Sequence, residues 1–236
     1  MLINADFKGM EWLTAVFLSQ DAVGLQELHD KFDQHGDNQE RLKLPTRLVA
    51  KTFLFRLLFG GTADSYALDP DFSNISSDKR YWQRAIDTFY EKYTGVARWH
   101  SELMNIVQET GKYTLPTGRT WKFVPILKRG ELRFPRTQIL NYPVQGLGAD
   151  LMSIARISVW RRRKTVAPDS LLISTVHDSI LVDSPKKDVD NVVKLMYNVW
   201  VDIPANFERL FGVPLNVETR VEVQVGPNWK DMKDAY

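Results

Sequence analysis

Asp6 and Asp178 lie far apart in the chain, and each sits where a run of apolar residues gives way to polar ones. Asp6 ends the run Leu2 to Ala5, which reads as a short buried strand. A carboxylate at such an end can point into a cleft and hold a divalent cation through oxygen ligands. It can equally cap the helix that follows, Gly9 to Leu18. Asp178 is the middle residue of His177-Asp178-Ser179. Branched apolar runs, Ser170 to Val176 and Ile180 to Val182, flank that triplet, which is the pattern of a β-hairpin with a polar tip. A carboxylate there projects from a sheet, either toward a metal or simply into water.

A second group steps by four: Arg47, Lys51, Phe55 and Phe59, followed by Gly60. On a helix this spacing makes one slowly spiralling stripe. Cations at its start suit a triphosphate, and aromatics further along suit a base or sugar. The same stripe is also what a half-buried helix with solvated cations would show. A third group is Asn141-Tyr142-Pro143-Val144-Gln145-Gly146. Asn141 and Gln145 can hydrogen-bond to the minor-groove edges of base pairs, and the plainer reading is a loop leading into a capped helix.

Two stretches are strongly basic. Between Lys112 and Arg136 there are seven cations against one acid, Glu131, interleaved with Tyr113, Trp121, Phe123 and Phe134. Such a mixture suits a charged backbone with stacked bases. Arg161 to Lys164 end an expected helix, where they either offset its dipole or meet phosphate.

The whole chain adds bounds but no identity. Its 236 residues are 44% apolar, enough for a core in one domain or two packed lobes. The absence of cysteine excludes disulfides, thiolate metal sites and cysteine nucleophiles. A net charge of +2 is too mild to argue for nucleic acid. The first residues lack the basic-then-apolar pattern of a secretion signal, and no long uncharged apolar run predicts a membrane span.

The elements that must position these residues follow from periodicity and breakers. A helix is predicted over Arg47 to Phe59, closed by Gly60-Gly61. Lys79 to Thr110 reads as one or two amphipathic helices, and Gln145 to Lys164 as another. Residues 30–43 and 62–80 read as loops, and 111–136 as irregular strands or loops. Val189 to Phe211 is helical with an interruption at Pro204, and Val221 to Val225 alternates as a strand. The predicted class is α+β, a sheet with a mostly helical insert.

Taken in order, the four short segments resemble the signature set of family A DNA polymerases, phage type. Asp6-Phe7-Lys8-Gly9-Met10-Glu11 resembles motif A, with Asp6 and Glu11 on its matching positions. Arg47, Lys51, Phe55 and Phe59-Gly60 resemble motif B. Asn141-Tyr142-Pro143-Val144-Gln145-Gly146 through Ala149-Asp150 resembles the conserved segment before motif C, and His177-Asp178-Ser179 resembles motif C itself. The resemblance covers nearly the whole chain. It implies a right-hand polymerase fold: palm over residues 1–20 and 141–236, with an antiparallel sheet, and fingers over 21–140. The thumb and any exonuclease precede motif A in that family, so this chain is expected to lack them.

The resemblance further implies template-directed addition of dNTPs to a primer 3′-hydroxyl with two Mg²⁺ ions held by Asp6 and Asp178. Arg47 and Lys51 would bind the triphosphate, and Phe55 would pack on the incoming nucleotide. Glu11 would restrict the 2′ position. His35 would match a family histidine that reaches the triphosphate. Asn141, Gln145 and His177 would contact primer–template DNA. A second polypeptide supplying a thumb, and an exonuclease, is an expected partner, the alternative being that the chain is a fragment of a longer one, and the expected location is the cytoplasm, of the host if viral. Two positions depart from the pattern. Ser179 stands where DNA enzymes carry glutamate and related RNA polymerases carry serine. Phe59 replaces a tyrosine whose hydroxyl would hydrogen-bond Glu11. An RNA-making or RNA-copying relative, and a non-catalytic nucleic-acid-binding subunit, are the competing readings.

Overall fold

The computed structural model describes residues 1–128 and 130–235. Arg129, one of the cations noted above, lies outside the described residues. The chain divides into two compact units, one of Met1–Leu13 with Gly146–Tyr236 and the other of Thr14–Gln145.

The chain begins with β1 (Leu2–Phe7) and turns through Gly9, at φ +64°, into α1 (Met10–Ser19). Asp6 lies inside β1, well ahead of Met10, so it is not the cap of α1. Then comes α2 (Ala22–His29), capped by Asp21. Residues 30–43, expected as a loop, contain α3 (Gln34–Arg41). That helix has almost no apolar face, so periodicity could not reveal it. Asp33 caps it, and Arg41 pairs with Asp37 one turn earlier.

The stripe helix is α4 (Arg47–Leu58), one residue shorter than the expected Arg47 to Phe59, with Thr46 accepting from the Val49 N–H at 3.2 Å. Gly60, at φ +88°, ends it; a side chain there would also crowd the Thr137 Cα at 3.3 Å. Residues 62–80 hold two short helices rather than loop alone, α5 (Ala63–Leu68) and α6 (Pro70–Ser73). The Asp and Ser excess that suggested a loop is capping chemistry. Thr62 and Ser65 form a capping box, and Asp69 caps α6 ahead of Pro70. The helical stretch to Thr110 is two helices, α7 (Lys79–Lys92) and α8 (Thr94–Thr110), with Gly111 left-handed at its end.

The basic stretch forms two short antiparallel ribbons, β2 (Lys112–Thr114) with β3 (Thr120–Lys122), and β4 (Ile126–Lys128) with β5 (Glu131–Arg133). The next helix, α9 (Arg136–Val166), starts well before the expected Gln145 and carries Pro143 inside it. Ile139, Leu140, Val144 and Leu147 are fully buried on it. Burial of that face outweighs the hydrogen bond lost at proline.

The expected hairpin is β6 (Leu171–Val176) and β7 (Ser179–Asp183). Pro204 stands in the first turn of α11 (Ile203–Phe211), which follows α10 (Val189–Val201). The chain closes with β8 (Val221–Gly226) and β9 (Lys233–Asp234).

In the first unit five antiparallel strands make one sheet in the order β6-β7-β1-β8-β9. Ile3, Ala5 and Phe7 point to one face, where Phe7 meets Trp200 of α10 with ring centroids 6.2 Å apart. The stripe Val192, Leu195, Met196, Val199 and Trp200 buries α10. In the second unit Phe53 of α4 stacks on Tyr66 at 4.9 Å, and Tyr66 stacks on Trp82 at 5.3 Å. The Tyr66 hydroxyl donates to the Phe53 carbonyl at 2.7 Å. Each of these buried rings contributes about 1.5–3 kcal/mol, and together they fix the orientation of α4. The class is α+β with an antiparallel sheet, as expected. Among the described residues no helix is long and apolar enough to cross a membrane.

Candidate active site

In the first unit the register brings the two aspartates together. Across β1 and β7, Asp6 stands opposite Ser179, and the Phe7 N–H donates to the Asp178 carbonyl oxygen at 2.9 Å. The two carboxylate-bearing residues therefore flank one backbone hydrogen bond at one end of the sheet. Both are half-buried. His177 is exposed and adopts φ +51°, the left-handed geometry of the tight turn. Ser179 is 6% exposed, and its hydroxyl donates to the Val176 carbonyl at 3.0 Å, so it closes the hairpin. Glu11 follows on α1, half-buried.

Sequence reasoning missed Glu222. It lies opposite Asp6 on β8, on the same face of the sheet, and pairs with Lys8 at 3.4 Å. The alternation of Val221 to Val225 was the signal that could have found it. Among the described residues no three His, Cys, Asp or Glu side chains gather as a metal cage. A pair of carboxylates is nonetheless a fitting donor set for Mg²⁺, which takes hard oxygen ligands and completes its shell with water and phosphate.

In the second unit α4 buries Ala50, Phe53, Leu54, Leu57 and Leu58. That leaves Arg47 and Lys51 exposed and Phe55 and Phe59 half-buried on the stripe. Lys51 Nζ stands 5.6 Å from the Phe55 ring centroid. The His35 ring meets Phe55 edge-on at 6.0 Å, so α3 brings His35 to the stripe. Burial pushes the imidazole pKa down to about 4, and the charges of Arg47 and Lys51 add to the effect. His35 is therefore neutral at neutral pH, with a buried Nδ1 that has no hydrogen-bond partner among the described residues.

Asp33 was also missed as a member of this group. Arg47 donates to it through Nη2 at 2.8 Å and Nε at 3.2 Å. That hydrogen bonding holds the Asp33 carboxyl below the usual range. Its position two residues before His35, at the head of a polar helix, was the available signal.

Asn141 and Gln145 lie one turn apart on α9, half-buried and exposed respectively. The rings of Trp121 and Phe123 lie 6.2 and 5.9 Å from Tyr142. Lys112, Arg119, Lys122, Arg133 and Arg136 are exposed. Three of the four cations at the end of α9 have partners within their own unit. Arg162 pairs with Asp202 at 2.6 Å, Arg163 donates to the Ser170 carbonyl at 2.7 Å, and Lys164 lies 3.7 Å from the Trp160 ring centroid. These contacts favour the structural reading of that run.

Residues 1–231 match the family model described as DNA polymerase family A. The chain belongs to DNA polymerase family A. It is 25% identical over 239 residues to DNA polymerase I of Chloroflexus aurantiacus, covering 98% of this chain and 24% of that protein. It is 24% identical to the thermostable DNA polymerase I of Thermus aquaticus, over 99% of this chain and 27% of the relative. With the DNA polymerase of Bacillus phage SP01 the identity is 24%, over 86% and 22%. The chain thus spans about a quarter of the length of these relatives. Its fold is like that of the POL domain of Pol1 from M. smegmatis, solved in complex with DNA primer-template and dNTP. The TM-score is 0.78 at 20% identity, over 97% of this chain and 40% of that one.

Proposed function

We propose that this family A chain is the catalytic portion of a template-directed DNA polymerase, adding dNTPs to a primer 3′-hydroxyl. The observation that carries the reading is the convergence of Asp6 and Asp178 at one end of the β1–β7 pair. Asp6 and Asp178 would hold two Mg²⁺ ions, which would supply Lewis-acid activation of the 3′-hydroxyl and charge neutralisation at the pyrophosphate. Arg47 and Lys51 bind the triphosphate and stabilise charge that develops on it. His35 offers its uncharged imidazole to the same phosphates, and Phe55 packs on the nucleotide. Asn141, Gln145 and His177 contact primer–template. In this reading residues 1–20 and 141–236 serve as palm and 21–140 as fingers.

The chain matches 24% of one DNA polymerase I and 40% of the Pol1 POL chain. A second polypeptide that brings a thumb, and an exonuclease, is the partner we propose, the alternative being that these residues are a fragment of a longer chain. The likeness to the SP01 enzyme lends support to a phage-type polymerase, for which the host cytoplasm is the proposed location.

Ser179 favours one competing reading, a polymerase that makes or copies RNA. Its hydroxyl donates to the Val176 carbonyl, a turn-closing role that is independent of which nucleotide is used. The test is magnesium-dependent primer extension with dNTPs and NTPs on DNA and RNA templates, with and without copurifying chains. DNA synthesis from dNTPs on a DNA template is expected. Phe59→Tyr, which restores the family's phenol, should lower ribonucleotide incorporation, and Glu11→Ala should raise it. Preferential NTP use by the unaltered protein would transfer the assignment to the RNA reading. Complete inertness with every template would support the non-catalytic one.

A further inference from the structure

We infer that Asp33 is a positioning residue for the nucleotide triphosphate, acting through Arg47. The inference rests on the reading of Arg47 as a phosphate ligand. The guanidinium is held side-on. Nη2 donates to Oδ1 at 2.8 Å, and Nε lies 3.2 Å from both carboxylate oxygens. Nη1 takes no part in this pair. A guanidinium bound along its Nε–Nη2 edge keeps its plane fixed and leaves the Nη1 edge for a second acceptor.

The carboxylate is itself anchored. Asp33 is the N-cap of α3, and its Oδ1 accepts from the Gly36 N–H at 3.2 Å. Gly36 makes room for it, because a Cβ at that position would meet Asp33 Oδ2 at 2.7 Å. The side chains of Arg47 and Asp33 are each 58% exposed, so the pair adds little to stability. It can still set geometry. An exposed arginine otherwise spreads over many rotamers, and ordering it before the ligand arrives reduces the entropy lost on binding. The pair stands in the group that holds His35, with its unpartnered Nδ1, and Phe55. Asp33 thus ties the helix that carries His35 to the helix that carries Arg47 and Lys51.

Two variants separate this role from capping. Asp33→Asn retains an N-cap, since asparagine caps as well as aspartate, but it loses the charged two-oxygen acceptor. Gly36→Ala improves helix propensity while its methyl displaces the Asp33 carboxylate. Binding of dTTP with Mg²⁺ is measured by calorimetry on the full chain, with thermal unfolding measured alongside. Both variants should weaken dTTP binding by about three- to tenfold with nearly unchanged melting temperature. In an Arg47→Ala background, Asp33→Asn should have no further effect on binding.

Unchanged or tighter binding by Asp33→Asn would overturn the inference, since that is what a carboxylate competing with phosphate would give. An equal loss in the Arg47→Ala background would also overturn it, because Asp33 would then not act through Arg47. If Arg47→Ala alone leaves dTTP binding intact, the phosphate reading of Arg47 falls, and the inference with it.

Discussion

Lys51 and His35 differ in how much charge each brings to the stripe of α4. Lys51 is exposed and presents a full positive charge, with its ammonium 5.6 Å from the Phe55 centroid. His35 is kept neutral by burial and by the cations beside it. Lys51 is therefore the stronger electrostatic contributor to a triphosphate, and Lys51→Ala should raise the apparent KM for dNTPs and slow nucleotide addition by about tenfold or more. Steady-state extension over a range of dNTP concentrations checks this, and wild-type parameters would remove α4 from the nucleotide site. At this scale the sequence was informative where residue type and spacing were both distinctive, as in Arg47, Lys51 and Phe55. It carried only faint signals for Asp33 and Glu222, the spacing to His35 and the alternation of Val221 to Val225, because their neighbours are set by helix packing and strand register.

Among the elements, the helices of the second unit depend on polar contacts more than their sequences suggest. Asp21 is 1% exposed and accepts three backbone N–H groups, from Gly24 at 2.8 Å, Gly95 at 2.7 Å and Val96 at 3.2 Å. One carboxylate thus caps both α2 and the start of α8. A Cβ at Gly95 would meet the Asp21 Cα at 2.6 Å, so glycine is needed for that approach. Lys92 of α7, 11% exposed, joins Glu27 of α2 and Asp37 of α3, each at 2.6 Å.

Asp21→Ala should destabilise the fold by about 2–4 kcal/mol, the sum of two lost caps and buried donors left unpaired. Urea denaturation would read it, and a loss under about 1 kcal/mol would show that water or another group replaces the carboxylate. These contacts explain which elements were legible. The amphipathic helices α4, α7 and α8 and the β6–β7 hairpin carry periodic apolar residues. The helix α3 is held by a cap and ion pairs, α5 and α6 are too short to show a period although Tyr66 and Phe72 anchor them in the core, and the start of α9 crosses a proline. Local patterns therefore pointed to loops there.

For the whole molecule, the half-buried His35 and the buried His100 shape the response to acid. His35 titrates at about 4, and burial, with the charge of Arg136 adding to it, pushes His100 down to about 3. Both stand at 6.5 in the unfolded chain. Above pH 6.5 both states are neutral at these sites and stability is at its full value. As pH falls from 6.5 toward 4 the unfolded chain binds protons that the folded chain refuses, so stability falls with pH. Carboxylates held low by arginine, Asp33 by Arg47 and Asp69 by Arg56, add their losses at lower pH still. The melting temperature should therefore decline between pH 6.5 and 4.5, and His100→Gln should flatten that decline. An equally steep decline in the variant would place the sensitivity elsewhere.

The central claim, two-carboxylate nucleotidyl transfer, rests on Asp6 and Asp178 and is tested most directly by single-turnover primer extension. The measurement compares the unaltered protein with Asp6→Asn and Asp178→Asn, each with any copurifying partner, at saturating dNTP and Mg²⁺. Each substitution should lower the rate of nucleotide addition by at least about a hundredfold, with little change in primer–template affinity. Near-normal extension by either variant would contradict the account.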